Sequence, residues 1–510
     1  MSPIQKKVLI SVYYKDGIEI LAEKLSLNGW EIISTGGTAR YLKENNIKVT
    51  EVSEITGFPE ILDGRVKTLH PKIFGSILAK DTPGHTEDLK SFSISKIGLV
   101  IVNFYPFEEF LEMGENNPDI MIEKIDIGGP SMVRAAAKNY NNTLVVVDKH
   151  DYSSISEKII SGEINYKFRK ELAEKAFSYT SYYDSLIANF FSGGQISKSE
   201  YLNIPAKKYM ALRYGENPHQ NGSVYITDKN SPIKKMDKLH GKELSYNNIL
   251  DLSMVYEVIN QFKDSGNFFS VIVKHQNPCG AAISDSQLNS FEKSLSGDPV
   301  SAFGGIVGFN KTLEEETAKK IKSIFMEVII APDFTEEALN ILKKKKNLRL
   351  IKIPLGYIEN NDIKTIPGGL IYQERDNKKL SNTDFVLKTD RKLSDKERSD
   401  LDFGWKLVKF IKSNGILIVK DLKIIGVGAG QMSRVDSVEL AIKKSKFSLN
   451  GSVLLSDAFF PFKDSIEICN KYKIAVVAEP GGSIRDDEVI NEAQESGISL
   501  IFTGVRHFRH

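Results

Sequence analysis

Short apolar runs alternate with helix-like stretches over the first 150 residues, and this alternation limits the possible folds more than any other feature. The runs KVLISVYY, WEIISTGG, LVIVNFYPF and TLVVVDKH are typical of strands, and GIEILAEKLSLNG between the first two has helical periodicity. Because parallel strands need a crossover between them, the alternation predicts a parallel sheet with helices on its faces. Lys- and Glu-rich stretches then predict helices to about residue 195.

The pattern resumes after a polar interruption, SGGQISKSEYLNIPAKK, which predicts a linker. Further α/β units are predicted by SVIVKHQNPCG, GGIVGFN, EVIIAPD, GILIVKDLKIIGVGAG, SVLLSDAFF, IAVVAEPGG and SLIFTG. The segment IENNDIKTIPGG divides this region into two halves, whose sequences are too different to indicate a duplication. We therefore expect a domain at 1–195, a linker at 196–210, and two lobes at 211–365 and 366–510.

Composition excludes several classes of function. The 68 Lys and Arg residues nearly balance the 66 Asp and Glu residues, which argues against a protein built mainly to bind nucleic acid. The two cysteines cannot form a disulfide framework and favour a reducing compartment. No apolar run has the length of a membrane span, and the first residues lack a signal-peptide pattern. We expect a cytoplasmic protein that does not bind a membrane.

Three motifs in the first region suit an anionic ligand. STGGTARYL (34–42) follows a strand and opens a helix, so its main-chain N–H groups could bind phosphate, although a plain turn is the alternative. DGRVKTLHP (63–71), if extended, would place Arg65 and Lys67 on one face; a solvated edge strand is the other interpretation. IDIGGPSMVRAAAKNY (125–140) predicts a Gly-Gly turn and a helix, with Asp126 before the turn.

VIVKHQNPCG (271–280) places a lysine and a histidine side by side after an apolar run that predicts a buried strand. Asn-Pro with Gly280 predicts a tight loop, so Lys274 and His275 would lie at a strand's carboxyl end, where open α/β sheets bind ligands. An amine beside an imidazole can stabilise negative charge and accept a proton. A chance pair at a strand end is the alternative.

The remaining motifs are typical of turns, and a binding site is the second interpretation of each. ALRYGENPHQ, GVGAGQMSR and EPGGSIRDDE are Gly- or Pro-rich turns, and the aromatic residues of SDAFFPFKD suit either the core or a flat ligand. GVGAGQ does not fit the dinucleotide pattern, because its sixth residue is Gln431. A zinc deaminase needs a second cysteine after PCxx, and Ala282 stands at that place. We expect no catalytic metal.

Ten motifs occur in the order found in one family: STGGTARYL, DGRVKTLHP, IVNFYPF, IGGPSMVRAAAKN, RYGENPHQ, VKHQNPCG, GAGQMSR, SDAFFPF, GGSIRDDEVI and FTGVRHFRH. The chain closely resembles the bifunctional purine-biosynthesis family that combines aminoimidazole carboxamide ribotide (AICAR) formyltransferase with inosinate (IMP) cyclohydrolase. The resemblance spans nearly the whole chain. It implies a methylglyoxal-synthase-like, doubly wound N-terminal cyclohydrolase domain and two cytidine-deaminase-like formyltransferase lobes without catalytic zinc. It also implies a homodimer with the transferase site across the subunit interface.

The resemblance implies formyl transfer from 10-formyltetrahydrofolate to the ribotide amine as the first reaction. His275 would be the general base, Lys274 would stabilise the oxyanion or protonate the folate nitrogen, and Asn414 would orient the reactants. Positions matching ribotide contacts are Arg213, Tyr214, Asn248, Arg434, Phe459 and Arg506. Positions matching folate contacts are Gly304, Glu327, Asp464 and Ser483, although an aspartate stands in place of Glu327 in relatives.

The second implied reaction is dehydrative ring closure of the formylated ribotide to inosinate. Lys138, Asp126 and Tyr105 would move protons and polarise the formamide carbonyl. Nucleotide contacts would come from Ser11, Lys15, Thr35, Gly36, Gly37, Thr38, Arg65, Lys67, Thr68, Asn103 and Gly128.

One departure from the family is visible, because the usual SVSDK is SVYYKD at 11–16. Tyr13 and Tyr14 replace small polar residues, whereas Ser11 and Lys15 keep their register. A formyltransferase with a degenerate cyclohydrolase domain is therefore an alternative. A second alternative is a folate- or nucleotide-binding regulator without turnover.

Overall fold

The chain divides into two units, Met1–Ala206 and Lys207–His510. Parallel strands form the sheet of the first unit. The computed structural model describes residues 4–194, 199–379 and 384–510, so residues 196–198 of the predicted linker lie outside it. In the described part of the first unit the sheet has five strands in the order β3-β2-β1-β4-β5. The elements are β1 (Lys7–Ser11), α1 (Ile18–Leu27), β2 (Glu31–Ser34), α2 (Gly36–Glu44), β3 (Thr50–Glu51), α3 (Val52–Thr56), α4 (Pro71–Leu78), α5 (Pro83–Ser91), β4 (Leu99–Val102), α6 (Phe107–Glu112), α7 (Pro118–Ile122), α8 (Gly128–Lys138), β5 (Leu144–Val146), α9 (Tyr152–Ser161) and α10 (Tyr166–Phe191).

The predicted strands and the predicted first helix of this unit are confirmed. The strands are apolar on both faces because helices cover the sheet on both sides; β1 and β4 bury Leu9, Ile10, Val100 and Ile101 almost completely. The strand order reverses between β1 and β4, which are neighbours in the sheet. A doubly wound sheet binds ligands beyond the carboxyl ends of its strands at such a switch point.

The second unit contains a mixed sheet. Within the described residues, twelve strands follow the order β16-β21-β20-β19-β17-β18-β10-β9-β11-β12-β13-β8. The elements are β6 (Lys207–Ala211), β7 (Ser223–Ile226), α11 (Pro232–Lys235), β8 (Asp237–His240), α12 (Tyr246–Gln261), β9 (Phe268–Lys274), β10 (Asn277–Ser284), α13 (Gln287–Gly297), β11 (Ile306–Phe309), α14 (Glu315–Lys322), β12 (Val328–Ala331), α15 (Glu336–Leu342), β13 (Arg349–Lys352), β14 (Asn361–Ile366), β15 (Gly369–Glu374), β16 (Val386–Leu387), α16 (Asp395–Val408), β17 (Ile416–Lys420), β18 (Lys423–Gly428), α17 (Arg434–Lys444), β19 (Val453–Ser456), α18 (Asp464–Lys471), β20 (Val476–Glu479), α19 (Asp486–Glu495) and β21 (Ser499–Phe502).

This sheet consists of two copies of one topology, although the sequences did not indicate a duplication. From β8 to β13 and from β16 to β21 the strands and helices follow each other in the same order. Each copy pairs its second strand antiparallel with its third and fourth strands. The remaining three pairings of each copy also match in direction. β10 and β18 join the two copies through an antiparallel contact at Ala282 and Lys423.

Glycine permits the same close approach in both copies. A Cβ atom on Gly280 of β10 would lie 2.0 Å from the carbonyl oxygen of Ser294 in α13, and one on Gly428 of β18 would lie 2.0 Å from that of Ser437 in α17. No other residue type fits at that distance, so glycine lets each helix pack directly on the strand before it.

One predicted loop is a strand instead. The segment Asn277–Gly280 begins β10, and the turn before it consists of His275 and Gln276 alone, both with positive φ. The sequence suggested a longer loop because Asn-Pro is usually turn chemistry; here Pro278 and Gly280 lie at an irregularity in the pairing of β9 and β10. Among the residues that the structure describes, no helix is both long and apolar enough to cross a membrane.

Candidate active sites

The first site lies where the carboxyl ends of β1 and β4 meet at the switch point. Asn103 lies directly after β4. Its side chain accepts hydrogen bonds from the main-chain N–H groups of Tyr13 and Tyr14 and donates one to the carbonyl of Tyr14 at 3.0 Å. Thr38 of α2 exchanges two hydrogen bonds with the main chain of Val12. These contacts fix the loop after Ser11, so the two tyrosines do not disturb the main chain there.

The ammonium group of Lys67 lies beside the N-terminus of α2, and that of Lys15 lies near Lys67. A Cβ atom on Gly36, whose φ is 52°, would lie 3.7 Å from Nζ of Lys67. Burial lowers the pKa of Lys15, and the nearby charge of Lys67 lowers it further. Two cations beside a helix N-terminus that begins at a glycine form a site for an anion such as phosphate. Gly37 follows in the first turn of α2, and no atom lies within 4 Å of the position that its Cβ would take.

Glu60 is a member of this site that sequence reasoning missed. Its carboxylate accepts a hydrogen bond from the hydroxyl of Thr35, the N-cap residue of α2, and lies 3.6 Å from the Cβ position of Gly36. The carboxylate therefore lies beside the same N–H groups that would hold an anion. Its position between α3 and α4, eleven residues before α4 begins, gave no sequence signal.

Lys67, Tyr105 and Asp126 converge beside this loop. Nζ of Lys67 lies 3.4 Å from the hydroxyl of Tyr105. Burial raises the pKa of Asp126, opposed by the main-chain N–H groups of Gly129 and Tyr105 and by the charge of Lys67. Thr68 is buried, and its hydroxyl lies 2.9 Å from the Cβ position of Gly128. A buried carboxyl group with a raised pKa, a phenol and an ammonium therefore share one edge of the sheet.

Two predicted residues do not join this cluster. Residues 62–64 form a 3-10 turn rather than an extended strand, so Arg65 is directed to Glu123 and leaves Lys67 as the cation of the cluster. Lys138 ends α8 and is exposed, whereas Asp126 precedes the first residue of that helix. Ten residue steps of helix span about 15 Å, which places Lys138 at the opposite edge of the sheet in the same chain.

The second site is built on the turn between β9 and β10. Lys274 is the last residue of β9, half-buried, and its Nζ donates to the carbonyl of Gly304 at 2.9 Å. His275 is exposed and has a φ of 52°. Both side chains line a cavity of about 340 Å³ together with Asn277, Asp298, Gln431 and Lys444.

Asn414, Arg434 and Asp457 form a buried network beside that cavity. Arg434 pairs with Asp457 and donates to Ser456 at 2.8 Å and to the side chain of Asn414 at 3.1 Å. Asn414 in turn donates to the carbonyl of Gln431 at 2.8 Å. Arg434 is therefore held in place rather than free at the surface, and it fixes the orientation of Asn414.

Asn248 and Glu327 are also in contact, since the side-chain amide of Asn248 donates to Glu327 at 3.0 Å. Arg349 lies 3.9 Å from the same carboxylate. A ribotide contact and a folate contact predicted separately are therefore neighbours in the structure. The longer glutamate can make this contact in place of the aspartate expected from relatives.

The remaining predicted residues contact their own segments. Arg213 lies over the ring of Tyr214 at 5.5 Å, and Arg506 over the ring of Phe508 at 4.5 Å. Phe459 is exposed after β19, and Asp464 begins α18. The main-chain N–H of Ser483 donates to Asp486 at 2.9 Å. Across the described ranges 4–194, 199–379 and 384–510, no three His, Cys, Asp or Glu side chains are grouped to bind a metal ion.

Comparisons with known proteins match both units. Residues 136–444 match the family model described as AICARFT/IMPCHase bienzyme, and residues 17–131 match the MGS-like domain. Proteins described as bifunctional purine biosynthesis protein PurH are 48% identical in Caldicellulosiruptor saccharolyticus and in Persephonella marina and 47% identical in Aquifex aeolicus, each over 99% of this chain and the whole of the relative. A solved structure described as "Crystal structure of ForH" is 32% identical and covers 38% of this chain and 99% of its own, with a TM-score of 0.34. That last likeness is too low to support an argument.

Proposed function

The chain belongs to the AICARFT/IMPCHase bienzyme family and is a bifunctional enzyme of purine biosynthesis, and from this premise we propose which residues carry each of its two reactions. It formylates AICAR and then closes the ring of the formylated ribotide to give IMP. The proposal for the first reaction rests on one observation: Lys274, the last residue of β9, and His275, the first residue of the turn that follows, line the same cavity. The finer assignments below rest on the resemblance and on these contacts.

For formyl transfer, we assign His275 as the general base. The ribotide amine attacks the formyl carbon of 10-formyltetrahydrofolate, a new C–N bond forms, and His275 takes the amine proton. The C–N bond to folate then breaks, and the folate nitrogen takes up a proton. Lys274, oriented by the carbonyl of Gly304, stabilises the oxyanion of the intermediate or supplies that proton. Asn414, oriented by Arg434, positions the ribotide.

The ligand contacts follow from the same placement. We assign the ribotide to Arg213, Tyr214, Asn248, Arg434, Phe459 and Arg506. We assign the folate to Gly304, Glu327, Asp464 and Ser483. The contact between Asn248 and Glu327 supports adjoining pockets for the two substrates, because one hydrogen bond connects a residue of each set.

For ring closure, the carboxamide nitrogen attacks the formamide carbon, a C–N bond forms, and the former carbonyl oxygen leaves as water. We assign Lys67 and Tyr105 to polarise that carbonyl and Asp126 to exchange the proton. Their support is the short separation of Lys67 from Tyr105 and the burial of Asp126, whose raised pKa suits proton exchange. The loop at Thr35–Thr38, with Ser11 and Lys15, is assigned to the nucleotide and its phosphate.

We further propose that the two copies of the second unit are cytidine-deaminase-like lobes, which their repeated topology supports. We also propose a homodimer. Phe303, Met432 and Ile484 are large apolar side chains that are mostly exposed in the single chain, as residues of a subunit interface are before assembly. Two free, buried cysteines are in keeping with a cytoplasmic location.

Two assays test the function. AICAR with 10-formyltetrahydrofolate should give IMP, with both steps followed by absorbance. The formylated ribotide alone should also give IMP, which a chain with a degenerate cyclohydrolase would not produce. The tyrosines at 13 and 14 do not favour that alternative, because Asn103 holds their main-chain N–H groups in place. If the formylated ribotide gives no IMP while the first assay still shows formyl transfer to AICAR, the cyclohydrolase assignment is wrong and the transferase remains.

A further inference from the structure

A carboxylate lies beneath the turn that carries Lys274 and His275. Asp251 belongs to α12 and follows Asn248 by one helical turn, so both side chains lie on one face of the helix. Its carboxylate accepts the main-chain N–H of Gln276 at 2.7 Å and also bonds the N–H of His275. Asp251 therefore contacts the main chain of the proposed base, and the charge of the imidazole also acts on its carboxylate.

The turn needs such a partner because both of its residues have left-handed backbone conformations. His275 has a φ of 52° and Gln276 a φ of 61°. Residues with side chains are disfavoured there, and hairpin turns of this kind usually use Asn and Gly. A carboxylate that accepts both N–H groups stabilises this one conformation over others. The position of the imidazole over the cavity thus depends on Asp251.

The second copy of the topology contains the same arrangement without the reactive pair. Asp400 of α16 accepts the main-chain N–H groups of Asp421 at 3.0 Å and Leu422 at 2.6 Å. That turn also has two positive φ angles, 52° and 55°. The helices begin with the same spacing, SYNNILD at 245–251 and SDKERSD at 394–400, each with a capping box. The two aspartates occupy equivalent places in the repeat.

We infer that Asp251 is a positioning residue for formyl transfer, which holds His275 in place by binding the main-chain N–H groups of the turn. This inference rests on the proposed role of His275. Burial raises the pKa of Asp251, and the N–H groups and the neighbouring charges of His275 and Lys274 oppose that shift. A carboxylate at this point also faces the imidazole that becomes positively charged as it takes the proton.

Asp400 provides a matched control in the same molecule. Asp251→Asn and Asp400→Asn each replace one accepting oxygen with an N–H donor, so both weaken a left-handed turn. We expect Asp251→Asn to lower the kcat of formyl transfer about tenfold or more, while the KM for AICAR stays within about threefold. Asp400→Asn should leave kcat within about twofold. Thermal unfolding of both variants reports that the second unit is folded, and ring closure of the formylated ribotide, measured in the same preparations, should not change.

A second variant tests whether the loss of kcat comes from the backbone conformation of the turn. Gln276→Gly supplies a residue that adopts the left-handed conformation without strain. In the Asp251→Asn background it should restore at least a third of the lost kcat. A kcat of Asp251→Asn equal to that of Asp400→Asn, or no recovery with Gln276→Gly, would overturn the inference. His275→Ala tests the premise separately: if it transfers formyl groups at the normal rate, the proposed site is wrong whatever Asp251→Asn shows.

Discussion

The ammonium group of Lys274 donates a hydrogen bond of 2.9 Å to the main-chain carbonyl of Gly304. Gly304 has a φ of 67°, and a Cβ atom there would lie 3.1 Å from the ring of Phe325 and 3.4 Å from Nζ of Lys274. The lysine therefore keeps its place because no side chain occupies position 304. This contact links a proposed folate residue to the cation of the proposed catalytic pair.

Gly304→Ala should lower formyl transfer about tenfold, because the added methyl group crowds the ring of Phe325 and strains the backbone whose carbonyl orients Lys274. Gly451→Ala is a matched control, since Gly451 has a φ of 74° and open space around it. The control should lose about 1 kcal/mol of stability and no transferase activity. Steady-state kinetics and thermal unfolding of both variants check this. Equal transferase rates in the two variants would contradict it.

His275→Ala should lower formyl transfer about a hundredfold or more, because a general base is removed. Lys274→Ala should also lower it strongly, because the oxyanion loses its cation. Both variants should close the ring of supplied formylated ribotide at the normal rate, since those residues lie in the other unit. Loss of both activities in a folded protein would show that the two sites are not separate.

Lys138 cannot act beside Asp126 of its own chain, so we expect any catalytic role of Lys138 to operate between subunits. Lys138→Ala and Asp126→Asn should each suppress ring closure. An equal mixture that exchanges subunits should recover about a quarter of the normal activity, because half of the twofold dimers then hold one intact site. The measurement is IMP formation after denaturation and joint refolding of the two variants. Full activity of Lys138→Ala alone would remove it from the mechanism, and no recovery on mixing would exclude action between subunits.

Tyr13 should contribute to ligand binding in this chain. Its ring lies 6.0 Å from that of Tyr105 in an edge-to-face arrangement, and 46% of its surface is exposed. Tyr13→Ser should raise the KM for the formylated ribotide about three- to tenfold, the equivalent of one aromatic contact, with kcat little changed. Tyr14→Phe is the control, because it keeps the aromatic ring and removes only the hydroxyl, which binds Glu109 at 2.7 Å. An unchanged KM in Tyr13→Ser would contradict this role.

Glu479 should make the stability of the second unit depend on pH. It is fully buried, and burial raises its pKa from the usual 4.5 to about 8. Folding therefore favours the protonated form, so its contribution is complete below about pH 4.5 and is lost as the pH rises through 8. The free energy of unfolding should fall by a few kcal/mol between about pH 5 and pH 9.

Glu479→Gln should remove most of that fall. Trp405 is the tryptophan of the second unit, so its fluorescence in a Trp30→Phe background reports unfolding of that unit in denaturant. The same pH dependence with glutamine at position 479 would assign the effect to other groups.

The first unit could be predicted well because four of its five described strands are short apolar runs, whereas the two-residue β3, Thr50–Glu51, has no such pattern and was not predicted. The resemblance, rather than the pattern of strands and helices, named Lys67, Tyr105 and Asp126, which the structure brings to one edge of the sheet. The order of residues in a motif does not show that Lys138 lies about 15 Å along a helix from its first residue, and its catalytic role stays a prediction.

The repeat of the second unit was missed because its two copies share a topology and few residues. One signal was available in SYNNILD and SDKERSD. Each begins with a serine, has the residue that completes the capping box three positions later, and ends with an aspartate three positions after that. Asp251 and Asp400 otherwise resemble ordinary polar residues of a helix face. Only the paired turns, each with two left-handed residues, show what these carboxylates bind.

The turn at Asp421 and Leu422 has a consequence for protein engineering. It forms the same corner over the same kind of acid and follows Lys420 as the first turn follows Lys274, yet Asp421 stands where the first copy has the imidazole. The fold therefore sets few demands on which side chains occupy such a corner. New reactive groups introduced at residues 421 and 422 would begin with a rigid support, and the enzyme's own two reactions would continue elsewhere in the molecule.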